Sequence, residues 1–145
     1  MATRDELAEL QLMRDKVAEL RTQLLIHISE SRDALGLIEE RIGKLALDRR
    51  IAVLRVEDLR KSAQNLITLF SSSKMPDSVR DALTDKECQI EDLGLAVQVG
   101  DERQKDLKQL RNDAEAACRR AQRDLEGKDA ELALIDQKIA QLTIH

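Results

Sequence analysis

The sequence has 145 residues, 36% of them charged and 42% hydrophobic, yet it contains one Phe, no Tyr, no Trp and a single Pro. Compact cores ordinarily use aromatic rings as bulk filling, so this composition excludes an ordinary globular core and points to long helices sharing a narrow apolar seam. The formal net charge of -4 argues against a phosphate-dominated partner, and two widely separated cysteines exclude a disulfide framework and the familiar zinc spacings.

The first element predicted in chain order is a helix over about residues 4–70. Alternating steps of four and three from Thr3 pass through Leu7, Leu10, Arg14, Val17, Arg21, Leu24 and Ile28 and end at Phe70; from Leu24 onward only Ser31 and Arg49 interrupt the apolar series. This is a heptad seam held for many turns. With Phe70 and Ala63 at a, Leu66 and Leu59 stand at d. The stretch "LFSSSKMPDSV" then breaks the pattern with a serine cluster and the proline, which predicts a turn over about 71–77. Ser78 or Asp77 is the expected cap of the next helix, with Asp77, Asp81 and Asp85 favourable near its positive end. Leu69, Phe70 and Met75 form a small apolar tip expected to close the turn.

A second helix is predicted over about 78–143, with a at Leu83, Ile90 and Val97 and d at Val79, Leu93 and Leu107. If the chain folds back so that opposed residue numbers add to 149, every layer sets an a against a d: Phe70 on Val79, Leu59 on Ile90, Ile42 on Leu107, Leu24 on Leu125, Leu10 on Ile139. Ile28 then faces Ala121, Ser31 faces Cys118, and Gly100 falls opposite Arg49, where it would leave space for the arginine stem. In an antiparallel pair e lies beside e and g beside g. The register places Arg60 by Glu87, Glu39 by Lys108, Arg32 by Glu115, Asp48 by Arg103 and His27 by Asp124, all complementary. A parallel homodimer of the second helix would set Arg103 against Lys108 and Asp124 against Asp129. The predicted fold is therefore all-α: one domain over 1–145, a long antiparallel two-helix coiled-coil hairpin able to associate laterally into a four-helix bundle.

Such a hairpin offers no water-excluding pocket, and no P-loop, HExxH, GxSxG or dinucleotide fingerprint occurs, so no catalytic residue, cofactor or metal ligand is expected. His27 reads as a flanking residue and Cys88 as an outward thiol at f. Basic clusters at Arg49, Arg50, Arg55, Arg60 and Lys61 and at Arg119, Arg120 and Arg123 are broken by acids and lack aromatic rings for base stacking, which argues against nucleic acid as a partner. No apolar run approaches the ~18 residues of a membrane span, and "MATRDELAEL" is charged where a signal peptide is apolar, so the expected location is cytoplasmic, including the cytoskeleton.

Apolar residues that the seam does not use are the candidate partner-binding set: Leu47, Ile51 and Leu54 on the first helix, with Leu95 and Val99 at the same height on the second. Met13, Leu20, Ile26, Leu37, Leu134 and Ile144 widen the apolar stripe toward the open end. Arg14, Arg21 and Lys128 at seam positions predict that the seam rotates there, and Gly36 and Gly43 at b would admit another backbone. Expected partners are proteins bound through helix-helix contacts, a second copy of the chain among them. The expected function is a structural scaffold, spacer or assembly subunit; the alternative is a stalk or regulatory subunit of a motor or export-type ATPase. In length and hairpin form the chain resembles the small stalk proteins of flagellar and type III export ATPases, without sharing a motif with them.

Overall fold

The computed structural model describes residues 2–144, with side chains from residue 4 to residue 144; the seam position Thr3 and His145 lie outside the described side chains. Two α-helices, α1 (Ala2–Leu69) and α2 (Asp77–Ile144), each 68 residues long, pack against one another as a helical hairpin. No strand occurs among the described residues.

The reversal between them is slightly earlier than the sequence predicts. Helix α1 ends by tightening: after Phe70 N–H donates to the Leu66 carbonyl at 3.2 Å, Ser71 donates to Thr68 and Ser73 to Phe70, both three residues back and at 3.3 Å. This three-residue pattern satisfies terminal carbonyls without a left-handed residue, and no described residue has a positive φ. Helix α2 opens at Pro76, whose carbonyl accepts from Val79 and Arg80, each at 3.1 Å. Pro76 therefore takes the cap position expected of Asp77 or Ser78, and Asp77 becomes the first helical residue, where its charge favours the positive helix end. Phe70, Met75 and Val79 are half-buried and close the tip, whereas Leu69 is exposed.

The chain divides into two compact units: a turn-proximal unit, Ile38–Leu110, and a terminal unit formed by Met1–Leu37 with Arg111–His145. Within the terminal unit Ile28, Cys118 and Ala121 form a buried cluster with Leu125 packed against it, and Ile135 is also buried. These are the residues that the 149 register makes neighbours. Within the turn-proximal unit Ile42 is buried and the remaining seam residues are half-buried, apart from the exposed Arg49. In both units every described seam position from Leu7 to Phe70 and from Val79 to Leu142 is buried or half-buried, except Arg14 and Arg49.

Those arginines correct the expected rotation of the seam. Arg14 Nε donates to Asp136 Oδ1 at 2.6 Å, Arg21 Nε donates to Asp129, and Arg49 Nε donates to Asp101 Oδ1 at 2.9 Å. Each pair joins an a residue of α1 to an e residue of α2, and each pair of numbers adds to 150. An arginine stem can lie along apolar surface while its head reaches a charge at the edge, so the seam keeps its phase and the three heads leave it on the e flank. Lys128 likewise stays half-buried and turns along its own helix to Glu131, at 3.4 Å.

Gly100 is a second correction. A Cβ built there would meet nothing within 4 Å, so the glycine is not accommodating the Arg49 stem, which leaves toward Asp101. The same open space surrounds Gly36 and Gly43.

Two helices cover only one side of each seam residue. The accessible surface is 10991 Å², against about 7,500 Å² for a compact folded monomer of 16.4 kDa.

Candidate protein-docking surface

In a heptad wheel of two antiparallel helices, positions g and c of both helices share one flank of the pair, e and b share the other, and f faces away from the partner helix. Sixteen large apolar side chains are exposed among the described residues, and they do not divide evenly. Eight stand at c or g: Met13, Leu20, Leu37, Ile51 and Leu69 on α1, and Val99, Leu110 and Leu134 on α2. Two, Leu25 and Ile67, stand at e, and none at b. The other six are at f. In both units, then, the g–c flank is the apolar one.

The e–b flank is where the Arg–Asp pairs lie. Their side chains are 38% to 52% exposed, so they are edge contacts rather than buried charges. Hydrogen bonding to Asp136, followed by the attraction of its charge, holds the Arg14 guanidinium above the usual arginine range.

The grooves that hold the facing g residues follow the opposite flank. In the turn-proximal unit a shallow groove of about 440 Å³ is floored by Leu45, Ala52, Val97 and Gly100 and bordered by Asp48 and Arg103. A second continues along the same flank, where Asp48 and Arg103 are joined by Arg41, Lys44 and Asp106. Asp48 and Arg103 thus share a groove, as the register requires of facing g residues. In the terminal unit His27 and Asp124 share a groove with Leu20 and Leu24 in the same way. Small residues open these grooves: Ala96 stands at g and Gly100 at d, where a larger side chain would fill the space.

All five residues of the sequence-predicted partner-binding set are exposed, from 47% at Val99 to 56% at Leu47, Ile51 and Leu95. They are not one patch. Leu95 and Val99 border the g-side groove, whereas Leu54 borders a separate depression on the e side with Ala46, Val53 and Gln104. Ile51, at c, belongs with Val99 by heptad position, and Leu47, at f, faces away from α2. Sequence reasoning did not single out Leu110, Lys44 or Asp106 for this flank. Sorting exposed residues by flank, rather than by height along the hairpin, is the signal that finds them.

Among the described residues no three His, Cys, Asp or Glu side chains are grouped to hold a metal ion, and no helix is long and apolar enough to cross a membrane. Cys88 is exposed and Cys118 buried, both as free thiols. Compared with known proteins, the chain matches no family model, no curated protein and no solved structure.

Proposed function

We propose that this protein is a non-enzymatic coiled-coil interaction module, a scaffold, spacer or assembly subunit of a larger cytoplasmic complex, including one associated with the cytoskeleton. The observation that carries the reading is the uneven surface: exposed apolar side chains gather on the g–c flank while charged pairs occupy the e–b flank. A soluble helix pair with no further partner gains nothing from an apolar flank, which in water favours association. The chemistry such a surface performs is helix packing, with ridges of Leu, Ile and Val seated in the grooves of another helical protein.

Affinity capture from the source cell tests this reading, with wild type compared to Ile51→Glu/Val99→Glu on the g–c flank and to Leu54→Glu on the other. The expected result is a defined helical partner or a second copy of the chain, retained by Leu54→Glu and lost by the double variant. Identical capture by all three proteins would refute the reading. A hexameric ATPase among the specific partners would instead assign the chain as a stalk.

A further inference from the structure

We propose that the g–c flank of the turn-proximal unit is covered by a second copy of this chain, forming a two-fold four-helix bundle; the assignment rests on the interaction-module reading above and names its partner. A two-fold contact sets the same surface against itself, so the surface must be self-complementary. This flank is. It carries both signs of charge on either side of an apolar level: Arg41, Lys44 and Asp48 with Arg103 and Asp106 toward the open end, Arg55 and Asp58 with Asp92 toward the turn, and Ile51 and Val99 between.

Residues at equal height on the two helices have numbers adding to about 150, as the Arg49–Asp101 pair shows. With the two turns at the same end, α1 of one copy lies on α2 of the other at equal height. Ile51 then meets Val99, Lys44 meets Asp106 and Asp48 meets Arg103, against one like-charge encounter, Asp58 with Asp92, one heptad nearer the turn. With the second copy turned end for end about the Ile51 level, Ile51 meets Ile51, Lys44 meets Asp58 and Asp48 meets Arg55, against one like-charge encounter of Asp92 with Asp106. The flank is thus self-complementary in either two-fold orientation. Shallow grooves over Gly100 and Ala96 leave room for the facing side chains.

Sedimentation equilibrium of the purified full chain at micromolar concentration, with circular dichroism as a folding control, tests the assignment. Wild type and Leu54→Glu are expected to be dimers, and Ile51→Glu/Val99→Glu to be a monomer of undiminished helicity with dimerisation weakened at least about a hundredfold. Lys44→Glu should weaken the dimer, and restoration by a second change, Asp106→Lys or Asp58→Lys, confirms the flank and reports its orientation. A monomeric wild type, or a dimer indifferent to the Ile51 and Val99 changes, overturns the assignment. If that monomer still loses a captured partner on Ile51→Glu/Val99→Glu, only the second-copy assignment fails. If capture is unchanged by changes on both flanks, the interaction-module reading fails with it.

Discussion

Gly100 sits at a seam position where the two helices leave space that nothing fills. Glycine in a helix interior is less favourable than alanine because it loses more backbone freedom on folding, and here a methyl group would clash with nothing. Gly100→Ala should therefore raise the stability of the hairpin by about 1 kcal/mol, seen as a higher urea midpoint by circular dichroism. Ile28, at 5% exposure, is the opposite case. Ile28→Ala removes buried methyl groups from the Cys118 and Ala121 cluster and should cost ~2–4 kcal/mol, while Leu47→Ala, at an exposed f position, should change stability by no more than about 0.5 kcal/mol. Charged pairs at the edge contribute less than such packing. A double-mutant cycle on Arg49→Met and Asp101→Asn should return a coupling of ~0–1 kcal/mol that shrinks as salt is added. The pair at Arg14 adds a statement about pH. A cation whose folded pKa is raised contributes stability that is complete below its unfolded pKa and is lost only as pH climbs through the folded one. Titration from neutrality to about pH 10 should therefore leave Arg14 protonated, as read by the chemical shift of its Cζ carbon.

At the scale of the element, the helices and their register are legible because a seven-residue repeat constrains every layer at once. A register error would move Ile28, Ala121 and Leu125 out of contact together, and instead they share one cluster. Cysteines introduced at Leu59 and Ile90, in a chain whose own Cys88 and Cys118 have been replaced, should form a disulfide within one molecule at high dilution. Crosslinks only between molecules would contradict the hairpin. What the repeat did not reveal is how a charged residue at a would be used. On a helical wheel Arg14 is equally consistent with a rotating seam and with a stem that stays while its head departs. The deciding residues, Asp129 and Asp136, lie over a hundred positions away at e of the other helix. Helix α1 ends within a residue of the expected boundary, and α2 opens on Pro76 rather than on Asp77 or Ser78 for a local reason. A proline carbonyl serves as acceptor as well as any other, so Pro76 can open the helix without a polar side chain.

For the whole molecule, surface exposure decides more than any single contact. The apolar residues beyond the seam were visible in the sequence, but their division between flanks was not, because height along the helix groups Leu54 with Leu95 while the structure places them against different depressions. An f residue faces away from the partner helix, and its lean to either side is set by side-chain conformation that sequence periodicity does not encode.

The antiparallel pairing also favours one order of folding. The Arg–Asp pairs at Arg49, Arg21 and Arg14 close loops of 52, 108 and 122 residues, so formed independently the widest would cost about 0.8 kcal/mol more in closure entropy than the narrowest. Formed in sequence from the turn outward, each layer adds only a short increment, as a zipper does. Substitutions near the reversal, such as Leu66→Ala, should then slow folding, whereas Leu10→Ala or Val17→Ala near the open end should mainly hasten unfolding, a contrast that stopped-flow kinetics resolves. On that order the seven residues between the helices, with the Phe70 and Val79 layer beside them, are the expected nucleus as well as the connection.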